Sequence, residues 1–132
     1  MARELLIGRV VTLARQAFGQ FGEDLACGEL ERRGYVILTR RYRQRGGELD
    51  IVARDGQAIV FVEVKAREGH DYGEASEAVT RRKRSRMTQL ALDYLTRHNL
   101  TKSPCRFDVV AIHIENELPV IEVYQNAFDA AF

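Results

Sequence analysis

The sequence predicts an α/β domain with a central mixed five-stranded sheet flanked by helices, in the order α-β-β-β-α-β-β. Three observations predict it. An apolar stripe at helical spacing occupies residues 20–33, three apolar runs broken by turn signals follow, and a long amphipathic segment separates these from two final apolar runs. A helix lying between strand-like runs is the signature of a crossover joining parallel strands, so the sheet is expected to be mixed.

In the first helix, Phe21, Leu25 and Leu30 form the expected buried stripe, and Gly34 supplies the stop. Residues 1–18 are expected to form a helical extension of a single domain covering 1–132, with Gly19 and Gly22 at the junction. "YVILTRRYR", "GELDIVAR" and "AIVFVEVKA" read as three strands. Asp55-Gly56 between the last two is a strong hairpin signal, because a type I′ turn needs positive φ at both central positions. A second helix is expected over 80–98, with Thr80 as N-cap and Met87, Leu90, Ala91, Tyr94 and Leu95 on its apolar face. "CRFDVVAIHI" and "LPVIEVYQ" complete the sheet around a turn at 115–117.

Composition places the chain among ordinary folded proteins: 132 residues, 45% hydrophobic and 30% charged, enough for one core. Charges interrupt the N-terminal segment, and no apolar run approaches membrane-spanning length, so neither a signal peptide nor a membrane partner is expected. Cys27 and Cys105 are isolated thiols, which fits a cytoplasmic location. The net charge of +1 conceals a segregation. No Lys or Arg follows Arg106, whereas "RRYRQR" and "RRKRSR" concentrate positive charge on the first strand and the second helix. Such patches suit phosphate binding as well as plain solvation of a surface.

The stretch "GELDIVARDGQAIVFVEVKAR" places Glu48, Asp50, Glu63 and Lys65 around an apolar hairpin. With Asp55-Gly56 as a two-residue turn, Asp50 faces Phe61 and Glu48 faces Glu63. Period-two alternation then sends all four charged side chains to one side. Asp50 and Glu63 become diagonal neighbours roughly 7–8 Å apart at the backbone. Three carboxylates on one surface need neutralisation beyond what Lys65 provides. A divalent cation such as Mg²⁺ would supply it, since Mg²⁺ takes one or two carboxylates with substrate phosphate and water. A salt-bridge network through Arg40, Arg43 or Arg45 would supply it equally well. Spacing alone leaves both open.

An acidic residue, an apolar strand and then Glu-x-Lys resembles the pattern of the restriction-endonuclease-like PD-(D/E)xK nucleases. The blocks "GQFGEDLA", "RYRQRGGELDIVARDG", "VFVEVKAR", "YGEASEAV" and "RFDVVAI" resemble, more closely, the uncharacterised bacterial YraN family within that superfamily. The resemblance runs from about Gly19 to Ile112. It implies a restriction-endonuclease-like fold, nucleic-acid binding and, by similarity to Holliday-junction resolvases, Mg²⁺- or Mn²⁺-dependent phosphodiester cleavage, with a homodimer as the expected assembly. Carried onto this chain, it makes Asp50 and Glu63 metal ligands, Lys65 the catalytic lysine and Glu23 the helical acidic residue of resolvase-like members. Arg41 departs from the family pattern, which usually carries Asn before Tyr-Arg.

Hydrolysis of a phosphodiester needs an activated water, neutralisation of the scissile phosphate and help for the leaving oxygen. Asp50 and Glu63 would serve the first two through a metal, and Lys65 would hold or deprotonate the water. Glu48 faces the same cluster in the expected register, as a further ligand or an arginine's partner. Glu23 is a second-metal candidate or simply an acid favoured by its helix dipole. Arg67, Arg81, Lys83 and Arg84, joined by Arg43 and Arg45, are the expected phosphate contacts. Tyr72 and a glycine-bearing flap over 68–76 complete the expected site. His70, His98 and His113 lack metal-ligand spacing, and Asp108 is expected to pair with Arg106 or to cap a strand end, with catalytic use the lesser alternative. The functional expectation is an endonuclease acting on DNA, branched or single-stranded. Its rivals are an inactive nucleic-acid-binding module and a protein-interaction domain.

Overall fold

The computed structural model describes residues 21–67 and 79–132. Its elements are α1 (Phe21–Arg32), β1 (Val36–Gln44), β2 (Gly47–Asp55), β3 (Ala58–Arg67), α2 (Arg81–Arg97), β4 (Cys105–Glu115) and β5 (Leu118–Phe128). The five strands form one sheet in the order β1-β2-β3-β4-β5. The β3–β4 pair is parallel and joined by α2, and the other three pairs are antiparallel. The mixed, helix-flanked sheet is therefore as the sequence predicts.

Each helix covers one face. On one side α2 contributes Met87, Leu90, Ala91, Tyr94 and Leu95, the predicted stripe, which packs on Val52, Ile59, Phe61, Phe107 and Val109. On the other, α1 packs on Ile51, Val60, Val62, Val110 and Ile112. The α1 contribution is Ala26, Cys27 and Leu30, while Phe21 is exposed and Leu25 half-buried. Small residues win here because a helix lying close on a sheet leaves little room beneath it. Both faces of β3 are thus covered, which explains its nearly continuous apolar run.

The helix ends follow the sequence signals. The Thr80 hydroxyl accepts the Lys83 N–H at 3.2 Å, capping α2. Gly34, at φ 92°, closes α1 by letting Tyr35 donate back to the Leu30 carbonyl at 3.0 Å. The β2–β3 turn differs from the expectation. Asp55 pairs with Ala58, so Gly56 and Gln57 form the turn and the ladder shifts by two residues. Asn116 and Glu117, both at positive φ, make the β4–β5 turn.

A buried polar cluster pins the sheet near the start of β4. Asp108, wholly buried, accepts from the Tyr35 hydroxyl at 2.8 Å, from Arg106 Nε at 3.0 Å and from the Asn126 N–H at 2.9 Å. Arg106 also donates to Asp55 at 2.7 Å. The β4–β5 register shifts between Phe107 and Val109, and the carboxylate satisfies the amide that the ladder leaves over. The predicted Asp108–Arg106 pairing is present and serves structure. Cys27 and Cys105 are free thiols.

Candidate functional site

The ladder between β2 and β3 ends at Ile51 and Val62, while β1–β2 continues to Gln44–Gly47 and β3–β4 to Arg67–His113. The two central strands therefore fork, and Asp50 and Glu63 are the next residues on either side. The two-residue shift in the hairpin makes them direct counterparts where the sequence predicts diagonal neighbours. In the fork the Asp50 carboxylate accepts the Val64 N–H at 2.8 Å, replacing the strand partner that amide lacks.

Glu63, 4% exposed, lies on the α2 face beside Val109, and Lys65 follows two residues later on the same face, half-buried next to Ala111. Lys83, from the first turn of α2, donates its ammonium to Glu63 Oε1. Asp50 has no such partner among the described residues. Burial first, then the Glu63 charge, push its pKa from 3.8 up to about 7, against the lowering effects of the Val64 N–H and Lys83. Glu23 adds a further upward push, so its charge also reaches the fork.

Glu48 does not join the cluster. Leu49 and Val52 both pack in the α2-side core while Ile51 packs in the α1-side core, so alternation breaks at Asp50. Its cross-strand neighbour Arg41 stands at φ 55°, and the face changes on β1 at the same level. Glu48 is thereby turned to the side opposite Leu49, where Arg43 bonds it at 3.0 Å. The reading that put four charges on one face by simple period two is corrected accordingly. Among the described residues no group of three or more His, Cys, Asp or Glu side chains is arranged to hold a metal ion. The site is a carboxylate pair with two lysines nearby.

Glu23 is buried, 5% exposed, and is neither a surface acid nor a member of the pair. Arg40 and Arg41 donate to its two oxygens, each at 3.1 Å, and Arg40 also reaches Asp24. These four residues line an open cleft of about 380 Å³.

The expected phosphate contacts divide. Arg81 and Arg45 are exposed, Arg43 is engaged by Glu48, and Lys83 by Glu63. Arg84 is a structural residue: its Nε donates to the Val79 carbonyl at 2.9 Å and its guanidinium lies over Phe128. Arg67 ends β3. Tyr72, His70, the 68–76 flap and the 1–18 extension lie outside the described residues. His98 caps α2, its ring nitrogen bonded to the Tyr94 carbonyl. His113 is buried between Glu115 and Glu122, 3.5 and 3.9 Å away.

Sequence reasoning missed two features. Arg40 and Arg41 hold Glu23, and Arg86 and Arg97 join Arg45 around a concavity of about 340 Å³ beside the β1–β2 turn. The second was readable. Lys83, Arg86, Leu90, Asp93 and Arg97 follow a three-and-four spacing along one helical face.

The description "uncharacterised protein family UPF0102" fits this chain over residues 22–112. The chain belongs to that family. It is 48% identical over 126 residues to a UPF0102 protein of Acidothermus cellulolyticus, covering 87% of this chain and 96% of the relative. A UPF0102 protein of Geobacter metallireducens is 44% identical over 122 residues, covering 92% of this chain and all of that one. The family part of the resemblance is thus borne out. A solved structure of Pyrococcus furiosus SfsA in complex with Ca²⁺ matches with a TM-score of 0.37 and 17% identity, over 86% of this chain and 63% of that one. That likeness is too slight to carry an argument. The UPF0102 region contains every residue of the fork and its surroundings.

Proposed function

We propose that this UPF0102 protein is a divalent-metal-dependent endonuclease of restriction-endonuclease-like fold that hydrolyses phosphodiester bonds in nucleic acid, with DNA as the expected substrate. The observation that carries the reading is the Asp50–Glu63 pair at the fork of two central strands, with Glu63 buried and Asp50 half-buried, mutually repelling and followed by Lys65 on the Glu63 face. A carboxylate such as Asp50, held where burial and a neighbouring acid oppose its charge, is costly to keep unless that charge has a use.

The donor set fits Mg²⁺ or Mn²⁺: two hard carboxylate oxygens from opposed strands, leaving the other positions to water and phosphate oxygen. Such an ion would supply Lewis acidity at the scissile phosphate. The Val64 N–H fixes the Asp50 carboxylate across the fork, and the Lys83 ammonium fixes one oxygen of Glu63. Lys65 orients the attacking water or offsets charge developing on the phosphate. Lys83 holds one Glu63 oxygen, and it would be free to meet a substrate phosphate if a metal took that oxygen.

A second reading has an observation of its own. Lys83 satisfies Glu63, Arg40 and Arg41 satisfy Glu23, and Arg43 satisfies Glu48, which suits a binding module that does not cut. Incubation of the purified protein with Mg²⁺ or Mn²⁺ and duplex, single-stranded, flapped and four-way DNA decides between them. Cleavage lost in Asp50→Asn and Lys65→Ala supports the enzyme. Retained binding without cleavage on every substrate supports the module.

A further inference from the structure

The concavity beside the β1–β2 turn carries positive charge that the fold does not use. Arg45 and Gly46 form its rim, and Arg86, Gln89, Leu90, Asp93 and Arg97 of α2 form its floor. Asp93 is its acidic group and is already engaged, bonded by Arg97 at 2.9 Å and by the Tyr42 hydroxyl. The side chains of Arg45 and Arg86 have neither a hydrogen bond nor an ion pair among the described residues.

The close approach is built in. A Cβ on Gly47, at φ 136°, would stand 3.0 Å from Arg86 Cδ and 3.7 Å from Leu90 Cδ1, so a side chain there would crowd the arginine and make it give by a few tenths of an ångström. The aliphatic part of Arg86 is thus seated against the strand at Gly47, and the residue lines the concavity. Leu90 closes the floor, and the Tyr42–Asp93–Arg97 chain anchors the far end.

The place of the concavity matters as much as its charge. Lys83, which bonds Glu63, lies on the same helix face one turn before Arg86, and Arg97 lies about 21 Å from Lys83 along the axis. The acidic pair and the arginine-lined hollow are therefore two ends of one track.

We propose that this hollow binds backbone phosphate of the nucleic-acid strand whose scissile bond lies at the Asp50–Glu63 fork, with Arg45 and Arg86 as the phosphate donors. Arginine suits the task because its planar fork can take two phosphate oxygens at once. The ligand class rests on the proposed function, but the pocket does not depend on cleavage.

The test measures binding of a labelled single-stranded oligonucleotide and a four-way junction in EDTA over a range of NaCl, with no metal to support cutting. The Arg45→Ala/Arg86→Ala double variant is expected to bind about tenfold more weakly. Its slope of log affinity against log salt is expected to be shallower by about 1 to 2, because one or two phosphates are no longer neutralised by the protein. Arg54→Ala, exposed at the opposite end of β2, is the charge control and is expected to leave the slope unchanged. Both altered side chains are exposed, so the double variant is expected to keep the wild-type unfolding midpoint. An unchanged slope in the double variant, an equal loss in Arg54→Ala, or capture of a polyglutamate peptide in preference to the oligonucleotide overturns the proposal. Absence of cleavage by wild-type protein with Mg²⁺, alongside the expected change in slope, removes the nuclease and leaves the phosphate site standing.

Discussion

Asp50 accepts the Val64 amide at 2.8 Å across the point where β2 and β3 separate, so a carboxylate fills the gap left by a missing strand pairing. That bond holds Asp50 opposite Glu63 instead of letting it turn to solvent. The resulting strain is electrostatic, and it is measurable.

With an unfolded pKa near 3.8 and a folded one of about 7, Asp50 binds more protons in the native state throughout that window. Its contribution to stability is therefore full below pH 4, falls as pH rises and is gone above about 7. Asp50→Asn keeps an oxygen for the Val64 N–H and removes the charge. The variant should be more stable than wild type at pH 8, on the order of 2 kcal/mol, with the gap shrinking at pH 5 and closing only below about pH 4. Urea denaturation at the two pH values measures this. A gap that does not depend on pH would show that Asp50 ionises freely.

Lys83 offsets part of the same repulsion through Glu63. Lys83→Met should lose about 1–2 kcal/mol at pH 8, less than a fully buried pair because the lysine is 37% exposed. It should also remove the cation that a metal has to displace. Scanning calorimetry with and without Mn²⁺ should give a larger rise in Tm for Lys83→Met than for wild type. A smaller rise means that Lys83 and the metal do not compete.

The difference between what the sequence disclosed and what it hid lies in these residues. Met87 to Leu95 and the run Ile59–Val64 announce themselves because burial imposes periodicity, and Thr80 and Gly34 do so because helix ends have few chemical solutions. Asp50 and Glu63 were brought together even with the turn misplaced, since a shift of two residues preserves the face. Glu48 was misplaced because a left-handed residue at 41 breaks alternation, and no local pattern marks an arginine in that conformation. The allotment of Glu23 to Arg40 and Arg41, and of Glu63 to Lys83, depends on helix placement across the sheet, which spacing along the chain does not encode.

Asp108 makes a contrasting case of a buried carboxylate that is fully satisfied. It gathers Tyr35, Arg106 and the Asn126 amide at a register shift in the sheet. Asp108→Ala should cost roughly 3 kcal/mol or more, the loss expected when one partner of a buried ionic network is removed. Tyr35→Phe, which deletes one hydroxyl, should cost about 1–2 kcal/mol. Urea midpoints measure both. Near-equal losses would mean that the hydroxyl, and not the ion pair, holds this end of the sheet.

Arg41 sits at φ 55°, a conformation asparagine adopts readily and β-branched residues resist. Replacing Arg41 removes its bond to Glu23 whichever residue is introduced, while Arg40 keeps its own. The difference between two replacements therefore isolates the backbone. Arg41→Asn should be more stable than Arg41→Val by about 1–2 kcal/mol, the reverse of their strand propensities. Because the same kink turns Glu48 away from the fork, Arg41→Val should also alter Mn²⁺ binding while Arg41→Asn should not. Equal stability for the two variants, measured by urea denaturation at pH 6, would place the face change somewhere other than residue 41.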